Sequence, residues 1–258
     1  MALTAPLRPS RVSAGEARER ADALRARIAD MQSTRLEGRA IPTLPALHDL
    51  LPGGVLREGG AYGVEGSTSL VMAMLAGASG AGSWCAVVGV PGFGVEAARL
   101  AGLDLDRLVL VPAPGRHWLA VVAALVDVIP VVAVRPPEAV GAADASRLGA
   151  RLRQRRAALV VDGTWPQSEV QLRVAESRWT GLGDGHGRLT AREAVVTASG
   201  RGGFGRASTA RLLLPGVGAA AERVDEGGAL GAGDAADGFA GPAVTEQAPA
   251  APLRRVAG

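Results

Sequence analysis

No lysine occurs in the 258 residues, so all 28 basic side chains are arginine. That absence removes the residue that reaches the β and γ oxygens in a Gly-x-x-x-x-Gly-Lys-[Ser/Thr] phosphate-binding loop. A unit charge about 4 Å from a phosphate is worth roughly 4 kcal/mol at an effective dielectric of about 20, enough to change nucleotide occupancy by orders of magnitude. Cysteine is nearly absent too: Cys85 stands alone, which excludes an internal disulfide and fits a reducing cytoplasm. The three histidines, His48, His117 and His186, stand at no ligand spacing to Cys85, which argues against a zinc site. Aromatic residues make up 3% of the chain, so Val, Leu and Ala must fill its core. The N-terminus lacks the apolar region of a signal peptide and no uncharged 18-residue apolar span follows, so the expected location is the cytoplasm.

What is present suffices for one α/β domain, since 48% of the residues are apolar and a chain of this length can bury a core. Richness in Ala, Gly and Arg without Lys is the composition of a GC-rich genome, so the arginine count alone does not signal nucleic-acid binding. Residues 1–215 carry 25 arginines against 19 acids, whereas 216–258 carry 3 against 6. A mildly basic body with an acidic tail permits a phosphate backbone as partner without demanding one.

Three segments follow from the patterning. Residues 1–38 form an N-terminal helical docking segment, with a predicted helix over 16–32 that places Leu24, Ile28 and Met31 on one face. That apolar stripe must dock, and both its own domain and a neighbouring subunit remain open as the place. Residues 39–215 alternate strands (60–63, 84–90, 108–112, 129–134, 157–161) with helices (68–78, 95–101, 117–126, 138–155), the rhythm of parallel crossovers with helices on the sheet faces. Extended runs at 170–179 and 188–198 around a Gly/Asp-rich turn predict an appended antiparallel hairpin, although the alternation is imperfect. Another extended run covers 209–214. Residues 216–258, dominated by Gly, Ala, Asp, Glu and Pro, are expected to be a disordered tail.

The segment from Gly59 to Leu70 enters a Gly/Ser/Thr turn from a strand and leaves it in a helix, which is where a phosphate-binding loop would lie. Gly63, Gly66, Ser67, Thr68 and Ser69 are its candidate remnants. Residues Leu51 to Arg135 as a whole resemble the RecA-type recombinase core, and more closely its shortened relatives, the ImuA family of damage-response mutagenesis proteins. The matching runs are Leu51-Pro52-Gly53-Gly54-Val55-Leu56, then Tyr62 to Leu70, then Ala98-Arg99-Leu100-Ala101-Gly102-Leu103-Asp104-Leu105-Asp106. Leu172-Arg173-Val174, Arg178-Trp179-Thr180-Gly181, Ser199-Gly200-Arg201-Gly202 and Leu214-Pro215-Gly216 look like the later ImuA hairpin region. The branch they most resemble is the actinobacterial one, often named ImuA-prime.

The resemblance implies a RecA-like, mostly parallel sheet flanked by helices, with a degenerate phosphate loop. Gly63 to Leu70 is two residues shorter than the family's Gly-Pro-Glu-Ser-Ser-Gly-Lys-Thr-Thr-Leu. Val90 falls where the family's catalytic Glu follows the second strand, and Arg135 where the Walker B Asp ends a strand. The γ-phosphate cation, the water-activating carboxylate and the metal-side carboxylate are thus missing together, so no catalytic residue, nucleotide cofactor or metal is expected. Asp162, after Leu159-Val160-Val161, mimics a Walker B strand end but falls too late in the order and reads as a turn residue.

By the same resemblance, the expected role is a non-catalytic adaptor in SOS-induced translesion synthesis. It would link an ImuB-like Y-family partner to an error-prone C-family DNA polymerase and associate with the nucleoid when assembled. An SOS-type cell-division inhibitor acting by protein binding is the alternative. Leu24, Ile28 and Met31 are the candidate partner-binding residues, with self-association open. Arg147, Arg151 and Arg155, at i, i+4 and i+8, form a basic helical stripe able to meet DNA weakly or an acidic partner, or simply to face solvent. Arg201, Phe204 and Arg206 have the Arg/Gly/aromatic mixture of single-strand-binding segments, or form an ordinary Gly-rich loop. Trp118 and Trp165 read as core pegs and His117 as a surface residue.

Overall fold

The computed structural model describes residues 38–183, 186–200, 208–215 and 221–224. They all belong to one compact unit, Met1–Asp225; the second unit, Glu226–Gly258, and the helix expected over 16–32 lie outside the described residues.

The centre of the unit is a nine-stranded sheet. Its strands are β3 (Ala61–Glu65), β4 (Cys85–Val88), β5 (Leu108–Val111), β6 (Val131–Val134), β7 (Ala158–Asp162), β8 (Val170–Gly183), β9 (His186–Gly200), β10 (Ser208–Leu213) and β11 (Glu222–Arg223), in the spatial order β11-β10-β9-β8-β3-β7-β6-β4-β5. A separate two-stranded piece pairs β1 (Ala40–Ile41) with β2 (Leu56–Arg57). From β8 to β5 every pairing is parallel, and from β8 to β11 every pairing is antiparallel. The expected α/β class, the mostly parallel sheet and the appended hairpin are all present.

Helices cover both faces. Helix α1 (Thr68–Gly80) is apolar on nearly every side because it lies between the sheet and the segment around Leu47, Leu50, Leu51 and Leu56; together with α2 (Val95–Leu100) it fills the larger core. Helices α3 (Trp118–Val126) and α4 (Ala142–Arg155) build the core on the other face. They offer it Trp118, Val122 and Val126 at i, i+4, i+8, and Ala145, Leu148 and Leu152 at i, i+3, i+7. Trp118 and Trp165 are the core pegs expected of them. The fourth helix starts after Gly141, later than expected, with Gly141 extended at its N-cap. It ends where Arg156 turns left-handed, at φ 56°.

β4 and β6 are buried on both faces, the pattern of strands sandwiched between helix layers. β8 leaves the rhythm of helical crossovers, because β7 is followed by residues 163–169 with no helix. That stretch runs back beside β3, with the Gly163 N–H donating to Val64 O at 2.7 Å and the Glu169 N–H donating to Ala61 O at 2.8 Å. The imperfect alternation of the hairpin has a cause as well. A register shift between Val174 and Glu176 inserts an extra residue into β8 and moves its later side chains to the opposite face, and a second, between Thr180 and Leu182, leaves extra residues in β9 between Gly187 and Ala191.

One expectation needs correcting. The chain beyond residue 216 is not wholly a tail, because β11 pairs with the edge of β10, Ala221 is buried, the Val224 N–H donates to Arg211 O at 2.9 Å and Arg223 is ion-paired with Asp49. The composition of 216–258 hid it, since two residues are too few to show a strand period.

Candidate functional site

The turn at the phosphate-loop position is built from two residues only. β3 ends at Glu65, Gly66 turns the chain at φ +85°, which an L side chain rarely adopts, and Ser67 caps α1. The Ser67 Oγ accepts from the Leu70 N–H at 3.2 Å, satisfying one of the first amides of the helix. A phosphate-binding loop needs several consecutive amides pointing inward to surround the anion, and a two-residue turn cannot supply them. Gly63, at the place of the first loop glycine, has a different task. A Cβ there would lie 1.9 Å from Gln171 Oε1, so its missing side chain makes room for the amide of Gln171, which donates from Nε2 to Gly163 O at 3.0 Å.

Side chains from three strands converge on this turn. Arg135, directly after β6, donates from Nη2 to the Thr68 hydroxyl at 3.2 Å. It also donates to Asp162 Oδ2, from Nη2 at 2.5 Å and from Nε at 3.0 Å. Arg192, on β9, donates from Nη1 to the Ser67 Oγ at 3.1 Å, and its guanidinium carbon lies 5.6 Å from the ring centroid of Trp179, its register partner on β8. Arg173 on β8 lies opposite Glu65 at the end of β3 and closes on it at 2.6 Å.

A cation beside a helix N-terminus meets the positive end of the helix dipole. The carboxylates of Asp162 and Glu65 offset that for Arg135 and Arg173, and the face of Trp179 does so for Arg192. Ser67 and Thr68, the two hydroxyls where the turn enters α1, are thus both engaged by arginines of the chain itself. Arg192 Nε is buried without a partner.

The remaining sequence candidates fall as follows. Val90 is buried in the larger core, an aliphatic side chain at the position where a water-activating carboxylate would stand. Arg135 follows its strand as expected. Asp162 does not act as a turn residue; it is the last residue of β7 and the ion-pair partner of Arg135. β7 lies between β3 and β6, so Asp162 faces a neighbouring strand end that a linear reading placed elsewhere. Ser69 is half-buried in the first turn of α1.

The stripe of Arg147, Arg151 and Arg155 exists on α4, and its three charges share two carboxylates of the chain. Arg151 donates to Asp127 at 2.5 and 2.7 Å, Arg155 donates to the same carboxylate at 3.1 Å, and Arg147 pairs with Asp144 at 2.5 Å. The hydrogen bonds from Arg151, followed by the charges of Arg151 and Arg155, hold the Asp127 carboxyl below its ordinary range. His117 is exposed and its Nε2 accepts from Arg116 Nε at 3.0 Å. Burial pushes the Cys85 thiol up to about 12, which keeps it protonated and unreactive. Leu24, Ile28, Met31, Arg201, Phe204 and Arg206 lie outside the described residues.

Arg192, Trp179 and the Glu65–Arg173 pair were not legible as site residues. Only the strand pairing brings them to the turn, and the bulge in β8 after Val174 conceals which residues share a face. Among the described residues no group of three or more His, Cys, Asp and Glu side chains could hold a metal ion, and no helix is long and apolar enough to cross a membrane.

Residues 49–167 match the family model described as the MT3502 N-terminal domain, a span that contains Ser67, Thr68, Arg135 and Asp162 but stops short of Arg173 and Arg192. Over 178 residues the chain is 34% identical to the uncharacterized protein Rv3395c of Mycobacterium tuberculosis (strain ATCC 25618 / H37Rv), covering 66% of this chain and 80% of the relative. The chain belongs to the family that these two matches define.

Proposed function

We propose that this family member is a RecA-like adaptor without nucleotide chemistry, of the ImuA type and its actinobacterial ImuA-prime branch. In this reading it serves SOS-induced translesion synthesis by holding an ImuB-like Y-family partner beside an error-prone C-family DNA polymerase. The observation that carries the loss of chemistry is the two-residue turn at Gly66 and Ser67, with Arg135 and Arg192 bonded to the hydroxyls that follow β3. A guanidinium fixed on Thr68 by a carboxylate stands where a nucleotide would bring its phosphate and metal. The sheet supports the RecA-like reading through its parallel core, its single strand between β3 and β6, and its antiparallel extension after β8. Fold likeness alone does not carry function, and the damage-response role rests on the sequence resemblance.

In this scheme the folded body is a rigid support, and Leu24, Ile28 and Met31 of the N-terminal segment bind the partner. Burial of each such side chain is worth about 1.5–3 kcal/mol. The test is co-purification of the full chain with the ImuB-like protein, together with induced mutation frequency in cells lacking the gene. Leu24→Asp with Ile28→Asp should reduce both partner recovery and induced mutation, while Thr68→Ala with Ser69→Ala leaves both intact. Unchanged induced mutation in the deletion strain would remove the adaptor role, and filamentation on overproduction in its place would favour the division-inhibitor alternative.

A further inference from the structure

We propose that the groove between α3 and α4 is a docking site for an acidic amphipathic helix of another protein. The proposal does not depend on the damage-response role. It starts from a mismatch between sequence and position. Every residue of α3, Trp-Leu-Ala-Val-Val-Ala-Ala-Leu-Val, is apolar, and a helix that is apolar all round belongs in an interior. Yet only Trp118, Val122 and Val126 are buried; Ala120 and Ala124 are exposed and Leu119 and Ala123 only partly covered. α1, the other helix of this character, is covered on both sides, so in this fold an all-apolar helix is otherwise an enclosed one.

The uncovered side of α3 borders a groove of about 430 Å³. Leu119, Ala123 and Leu148 supply its apolar floor, with alanine keeping the space open, and Arg116, Arg147 and Arg151 stand around it. Counting Arg155 beside Arg151, four guanidiniums in this region face two carboxylates, Asp127 and Asp144, so a positive excess remains after the internal pairs are made. Arg147 is 77% exposed even in its ion pair, with donors left over for an incoming carboxylate. A nine-residue helix is about 13 Å long, a length that suits two to three turns of a partner helix placing aliphatic residues on the floor and Asp or Glu at the edges. Nucleic acid suits the groove less well, because no Phe, Tyr or Trp lines it and His117 is the one ring at its edge.

The experiment uses the full chain as bait for a phage-displayed library of 16-residue peptides, followed by binding measurements with the enriched peptide carrying fluorescein. Enriched sequences should combine Asp or Glu with Leu at helical spacing. Arg116→Glu with Arg147→Glu should weaken that peptide at least tenfold, and so should Ala123→Trp, which fills the floor without altering charge. Should Ala123→Trp fail to fold by circular dichroism, Ala120→Glu at an exposed position serves instead. Enrichment of neutral or basic peptides, or affinity untouched by these variants, would overturn the proposal. So would a fluorescein-labelled 15-mer of thymidylate whose binding falls in the arginine variant while no peptide is enriched. If Leu24→Asp with Ile28→Asp raises peptide affinity tenfold or more, the chain's own N-terminal segment is the occupant and the proposal fails.

Discussion

Arg135 directly follows β6 and Asp162 ends the neighbouring parallel strand β7, and the guanidinium of the first closes on the carboxylate of the second at 2.5 and 3.0 Å. Asp162 is the more enclosed partner, its side chain 10% exposed against 43% for Arg135. Removing the arginine should therefore cost more than the pair itself is worth, because it leaves a carboxylate with little access to water. Arg135→Ala is expected to destabilise by about 1–2 kcal/mol after allowance for solvent screening of the arginine. In an Asp162→Ala background the same change should cost only a few tenths, giving a coupling near 1 kcal/mol in a double-mutant cycle. Denaturant midpoints of the four proteins measure it.

The same pair bears on nucleotide. The purified chain should show no ATP turnover, with or without single-stranded DNA, and millimolar ATP with Mg²⁺ should leave its melting temperature unchanged, since stabilisation scales as RT ln(1 + [L]/Kd). Turnover that follows the protein through successive columns and disappears in a Thr68→Ala variant would show that the turn still carries phosphate chemistry.

Gly63 offers a test of packing. Its absent Cβ would fall 1.9 Å from Gln171 Oε1, and overpacking of this kind costs about 1–3 kcal/mol. Gly63→Ala should lower the melting temperature by several degrees, at about 2–4 °C per kcal/mol for a chain of this size. Shortening the neighbour, in Gly63→Ala with Gln171→Ala, should recover most of the loss. Failure of the double variant to recover would mean that β3 rejects a side chain for another reason.

These residues also mark how far a sequence can be read. The alternation of strands and helices was visible because each segment carries its own signal, as in the aliphatic run Val131 to Val134. The turn at Gly66 was visible for the same local reason. Asp162 was misread because its role depends on β7 lying between β3 and β6, a fact of strand order that no window of neighbouring residues contains. Arg192 lies 125 positions from Ser67 and reaches it only through the pairing of β9 with β8. The arginine stripe was visible as a pattern but not as partly paired charge, because Asp127 lies at the end of another helix.

Asp127 provides the pH test. Its pKa is lowered in the folded chain, first by the hydrogen bonds from Arg151, so its contribution to stability is fully present above the ordinary carboxylate pKa. That contribution is lost as pH falls below that value and through the lowered folded pKa. Asp127→Asn should therefore be slightly less stable than the parent at pH 7, with the gap closing as pH is lowered towards 3. Melting curves at half-unit steps reveal this. A gap that widens on acidification would reverse the sign and exclude the pairing as its cause.

The placement of β3 at the heart of the sheet has a consequence for the chain as it is made. Its hydrogen-bonding neighbours, β7 and β8, begin at Ala158 and Val170, about a hundred residues after it. While β4, β5 and β6 leave the ribosome and pair with one another, β3 has both of its edges open and nothing to close them. Unpaired edges of this kind invite wrong partners, so the interval between synthesis of Glu65 and of Arg173 is the vulnerable stage of biogenesis. Nascent chains halted before Ala158 should be digested readily and captured by chaperones, whereas chains halted after the hairpin has emerged should resist protease. The late, helix-free return along β3 thus acts as the lock that fixes a half-built sheet.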